Sequence, residues 1–126
     1  MRRLNVLVAD DHPIFAEGLQ AVLSRSDGGK FAYHIQGIAR TGMQITDWLR
    51  YGSTDLLLLD LNLPETDSLK MLPSVKKTSA QTRVLVMTLF DDPRMVKAAF
   101  KAGADGYMLK SGSQAELFEA IEEVLE

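Results

Sequence analysis

Apolar residues fall into short unbroken runs that alternate with stretches of helical periodicity. Residues 4–9, LNVLVA, read as a buried strand. Residues 13–23 read as a helix: Pro13 suits its first turn, and Phe15, Leu19, Val22 and Leu23 recur on one face. SRSDGGK is a turn-rich break, followed by a weaker strand over 33–38. Residues 41–50 carry Ile45, Trp48 and Leu49 on one helical face. DLLLLD, residues 55–60, is an apolar run with an acid at each end, the pattern of a strand covered on both faces. NLPETD reads as a loop. Asp67 or Ser68 suits the cap of a helix reaching residue 77, which Pro73 is expected to bend or shorten.

Residues 83–87 form a fourth strand, and Pro93 opens a helix through residue 102. Gly103 and Gly106 are expected to bracket a turn before a short fifth strand over 107–109. Leu117, Ile121, Val124 and Leu125 mark a last amphipathic helix. Five strand–helix units at this spacing predict a doubly wound α/β sandwich, a parallel sheet with helices on both faces. Its expected strand order is 2-1-3-4-5, the flavodoxin-like arrangement. No linker, repeat or low-complexity tract interrupts the chain, so residues 1–126 are expected to be one domain.

Composition narrows the function. The absence of Cys removes disulfides, thiolate zinc sites and thiol catalysis, and fits a reducing compartment. A net charge of −3 makes this domain a poor nucleic-acid binder by itself, since phosphate contacts need clustered Lys and Arg. MRRLNVLVADD imitates a signal peptide only at its start, because acids interrupt the apolar stretch at once. No segment approaches the roughly 18 apolar residues of a membrane helix, and the chain is expected to be cytoplasmic.

Polar residues concentrate where the strands end. The first strand stops at Asp10 and Asp11, the third at Asp60, the fourth at Thr88 and the fifth at Lys110. In open α/β sheets that carboxyl edge is where ligands bind. Any one of these residues alone is ordinarily a cap or a solvated loop residue; five at one edge point to a site. Three acids call for a hard cation such as Mg²⁺, which neutralises the adjacent Asp10 and Asp11 and commonly works beside a phosphate. Thr88 and Lys110 suit phosphate oxygens. A carboxylate can attack phosphorus, and the acid on the central third strand, Asp60, is the expected nucleophile. His12 and His34 lie in separate segments without ligand spacing; His12 reads as a loop residue near a helix start.

The stretches VLVADDHPIFAEGL, LLLLDLNLPETDSL, VLVMTLFDD and KAGADGYMLKS stand in the order and spacing of a response-regulator receiver domain of bacterial two-component signalling. DDHPIFAEGL and AGADGY most resemble the NarL/FixJ (LuxR-type) regulators. The resemblance implies that Asp60 accepts a phosphoryl group from a sensor histidine kinase. It implies direct Mg²⁺ ligation by Asp11 and Asp60 with the Asn62 backbone carbonyl, and a role for Asp10 mainly through water. It also makes Thr88 and Tyr107 the switch pair. It further implies dimerisation on phosphorylation, through helices one and five or the helix four to helix five face. DNA would be bound through a C-terminal helix-turn-helix domain that this chain does not contain. Such a domain is a phosphoacceptor and not a multiple-turnover enzyme.

Three positions depart from the pattern: Ser68 replaces a common Gly, Leu89 a small residue, and Ser111 a common cis-proline. Two other readings stay open. One is a stand-alone or phosphorylation-independent interaction module. The other is a small phosphatase of the haloacid dehalogenase type, disfavoured because its first strand carries Asp-x-Asp.

Overall fold

A computed structural model describes residues 2–25, 30–64 and 66–126. Five strands, β1 (Arg2–Ala9), β2 (Phe31–Ala39), β3 (Leu56–Asp60), β4 (Arg83–Thr88) and β5 (Gly106–Leu109), alternate with five helices. These are α1 (Pro13–Ser24), α2 (Gly42–Tyr51), α3 (Ser68–Thr78), α4 (Pro93–Ala102) and α5 (Gln114–Leu125). The strands form one sheet in the order β2-β1-β3-β4-β5, parallel throughout. This is the flavodoxin-like order expected from the alternation of runs. Residues 26–29 of the SRSDGGK break and residue 65 of the NLPETD loop lie outside the described residues.

The period-two alternation of the strands divides the core. Leu7, Leu57, Leu59, Val84 and Val86 face one side, where they pack with Ile45, Leu49, Leu72, Val75 and Ala99 from α2, α3 and α4. Val6, Val8, Leu56, Leu58, Leu85 and Met87 face the other, against Ala16, Leu19 and Leu23 of α1 and Leu117, Ile121 and Val124 of α5. Every residue of β3 is buried, as the unbroken leucine run requires.

Three local expectations change. β2 is longer than the pattern indicated, because it pairs with β1 from Arg2↔Phe31 to Ala9↔Ala39 through a bulge near Gly37. α3 continues through Pro73 to Thr78, capped by the Asp67 side chain on the Lys70 amide, so proline does not shorten it. Gly106 belongs to β5 and not to a turn. A Cβ there would collide with Val124 of α5 and lie 3.1 Å from Leu85 Cδ1, so close helix–strand packing demands glycine. Gly103 does end a helix: it sits at φ 122° immediately after α4.

The amino edge of the sheet is closed by neutral and paired groups. Ser79 and Thr82 hydroxyls share a 2.5 Å hydrogen bond, and Thr82 donates to the Thr54 carbonyl at 2.7 Å. Lys76 Nζ donates to the Thr82 carbonyl at 2.9 Å and meets Asp105 Oδ2 at 2.8 Å, which also accepts the Val84 amide.

Candidate functional site

The carboxyl edge is built differently. Asp10 still pairs as a strand residue, its amide donating to the Ala39 carbonyl at 3.0 Å, so its side chain is fixed at the sheet rim. Asp60 ends β3 beside it. The Lys110 amide donates to the Thr88 carbonyl at 2.7 Å, which holds the tip of β5 against that of β4. Parallel register thus delivers residues 50 positions apart to one place.

Lys110 Nζ lies 2.9 Å from Asp10 Oδ2 and 3.0 Å from Asp60 Oδ2. The three side chains are 3%, 1% and 4% exposed for Asp10, Asp60 and Lys110, so one desolvated ammonium serves two desolvated carboxylates. It also stands 4.6 Å over the Phe15 ring. The other oxygens are held by the backbone: Asp60 Oδ1 accepts the Asn62 amide at 2.9 Å, and Asp10 Oδ1 the His12 amide at 2.7 Å. The Ser68 hydroxyl, buried, donates to the Asp60 carbonyl at 3.0 Å. The serine at this departure from the common glycine therefore anchors the residue expected to react.

His12 was not expected here. Its Nδ1 lies 3.0 Å from Asp10 Oδ1, 3.5 Å from Asp60 Oδ2 and 3.2 Å from Lys110 Nζ. Among the described residues, the group placed to hold a metal ion is Asp10, His12 and Asp60, with ligand atoms all within 4.8 Å of one another. Asp11 is not in that group and is half-buried on the loop beyond β1. Asn62 is exposed and reaches Asp60 through its amide. His12 escaped the sequence because Asp60 and Lys110 are brought to it by the sheet, although Asp10 lies only two residues away along the chain.

Thr88 is buried at the end of β4, and its hydroxyl accepts the Phe90 amide at 3.3 Å. Tyr107 donates its hydroxyl to the Phe90 carbonyl at 3.1 Å, so both expected switch residues engage the same loop. Burial lifts the Tyr107 phenol above its usual pKa; the Thr88 hydroxyl opposes this, and Asp91 and Asp92 add to it. All peptide bonds among the described residues are trans, including the one before Ser111.

The donor set fits a hard divalent cation. Two buried carboxylates converge with a single ammonium, leaving net negative charge at a point lined by carboxylate oxygens and His12 Nδ1. Among the described residues no helix is long and apolar enough to cross a membrane.

The model of the response regulator receiver domain matches residues 6–122. The NarL transcriptional regulatory protein of Mycobacterium tuberculosis is 31% identical over 119 residues, 94% of this chain and 53% of that protein. The nitrate/nitrite response regulator NarL of Escherichia coli is 31% identical over 116 residues, 92% of this chain and 52% of that one. The chain spans about half the length of the curated relatives it matches. The solved signal receiver domain of the M. tuberculosis NarL response regulator superposes with a TM-score of 0.88 at 30% identity, covering 99% of this chain and 98% of that one. A LuxR-family two-component response regulator from Aurantimonas reaches the same TM-score of 0.88 at 28% identity, covering 98% and 85%. A motif order, a strand order and a family match that each run nearly end to end agree: this chain belongs to the response regulator receiver domain family, with NarL-type LuxR-family regulators among its homologues.

Proposed function

We propose that Asp60 is a phosphoacceptor that takes a phosphoryl group from a phosphohistidine of a sensor kinase. The observation that carries this reading is the convergence of Asp10, Asp60 and Lys110 across three strands. An Asp60 carboxylate oxygen attacks phosphorus; the P–N bond to the donor imidazole breaks as the P–O bond forms, and the imidazole leaves with the bonding pair. Lys110, already 3.0 Å from Asp60, neutralises charge on the arriving oxygens without a long reorganisation. The Asn62 amide and Ser68 hydroxyl hold the acceptor still. Asp10, Asp11, Asp60 and the Asn62 carbonyl would hold Mg²⁺, which supplies charge neutralisation when bound.

The Thr88 hydroxyl is the second partner for the phosphoryl oxygens. Its turn from the Phe90 amide towards Asp60 would release the loop that Tyr107 also grips. Readout then passes to the α4–β5–α5 surface, to a dimer, and to a DNA-binding domain of a longer cytoplasmic regulator. The names of the relatives, transcriptional regulators of about twice this length, support that part of the reading.

Intact mass after incubation with acetyl phosphate and Mg²⁺ tests the chemistry. The expected result is one added phosphoryl group on the native chain and none on Asp60→Asn. A native chain that stays unlabelled would bring forward a phosphorylation-independent interaction module, and repeated hydrolysis of a phosphate ester would bring forward a phosphatase.

A further inference from the structure

His12 occupies the cap position of α1, yet its side chain makes no capping hydrogen bond. It leans over the carboxyl edge instead. The placement is set by the chain: Pro13 confines His12 to extended backbone, at φ −100° and ψ 101°, and the His12 amide is tied to Asp10 Oδ1 at 2.7 Å. The ring is 55% exposed, but Nδ1 is turned inward, 3.0 Å from Asp10 Oδ1 and 3.5 Å from Asp60 Oδ2. Nδ1 donates to Asp10 in one tautomer and accepts from Lys110 in the other, so either form keeps this ring edge in the site. The ligand atoms of Asp10, His12 and Asp60 lie within 4.8 Å of one another, a separation that one ion spans with bonds of about 2.0–2.4 Å once the Lys110 ammonium, now 2.9, 3.0 and 3.2 Å from Asp10, Asp60 and His12, draws back from it.

We propose that His12 Nδ1 is a nitrogen ligand to the divalent cation, and that it gives this site a preference for borderline ions such as Co²⁺ and Zn²⁺ beyond that of an all-oxygen site. The inference rests on the reading that a cation sits between Asp10 and Asp60. Imidazole nitrogen binds transition metals well, whereas Mg²⁺ favours oxygen and keeps its waters. His12 therefore matters for the borderline ions and little for Mg²⁺. The physical consequence is a receiver that loads with a transition metal at concentrations where Mg²⁺ is a weak competitor.

Calorimetric titration of the native chain, His12→Ala and His34→Ala with Co²⁺ and with Mg²⁺ separates the cases. His12→Ala is expected to weaken Co²⁺ binding about tenfold or more, the scale on which ligand-shell changes act, and to leave Mg²⁺ binding nearly unchanged. His34, exposed on β2, is the control and should change neither. With Mn²⁺ bound, pulsed electron paramagnetic resonance should show imidazole nitrogen coupling in the native chain and His34→Ala, and none in His12→Ala. Equal losses for both ions, or bound Mn²⁺ without that coupling, would overturn the assignment while leaving phosphorylation of Asp60 intact. Binding of neither ion to the native chain would overturn the assignment and the cation-dependent reading together.

Discussion

Tyr33 carries its hydroxyl into the core on β2, beside Phe118 of α5, and finds no hydrogen-bond partner among the described residues. Burial pushes its phenol from 10.0 up to about 12, with Glu122 adding to the effect. The folded pKa is the higher one, so this contribution to stability is complete below pH 10 and is lost as pH rises through about 12. Tyr33→Phe should abolish that loss in denaturant melts across this pH range. At neutral pH it should raise stability by about 1 kcal/mol, since an unsatisfied buried hydroxyl is removed. Leu89, 59% exposed after Thr88, supports a second expectation: phosphorylated Asp60 should hydrolyse faster in Leu89→Ala, as followed by loss of the added mass. A lifetime no shorter than that of the native chain would reject the idea that this side chain limits access. At this scale Asp10, Asp60, Thr88 and Lys110 were legible because each ends an apolar run, and strand ends meet. His12 and Ser68 were not. Neither ends a run: Ser68 is defined by the Asp60 carbonyl, and His12 by Asp60 and Lys110 beside its chain neighbour Asp10, contacts that the folded sheet completes.

Elements were legible wherever one face had to be buried. The leucine run of β3 and the i, i+4 spacing of α5 admit few alternatives, and both appear as the pattern indicates. Glycine and proline misled for a shared reason: each was taken as punctuation, while its meaning depends on what packs against it. Gly106 illustrates this, since the space a turn would have left open is filled by Val124. Gly106→Ala should therefore cost about 1–3 kcal/mol in urea unfolding through overpacking between β5 and α5. α5 is fastened at its start by a reciprocal pair, the Ser113 side chain on the Glu116 amide and the Glu116 side chain on the Ser113 amide. Ser113→Ala should lower stability by about 1 kcal/mol, measured the same way, with α5 fraying first in amide exchange.

Across the whole molecule, the two edges of one sheet are held by opposite means. The carboxyl edge confines Asp10 and Asp60 with a single ammonium, so it carries excess negative charge in the absence of a cation. Asp60→Asn should accordingly be more stable than the native chain in chelator, by about 1–2 kcal/mol. Mg²⁺ should raise the native melting temperature and leave that of the variant nearly fixed. At the amino edge, the Thr54, Ser79 and Thr82 groups and the Lys76–Asp105 pair bind α3, β3, β4 and the approach to β5 into one block. A sheet clamped at its base and charged at its rim is expected to act as a cantilever. A charge added at the tip would then displace the loops that overhang it, with the hydrogen-bonded root as the fixed reference.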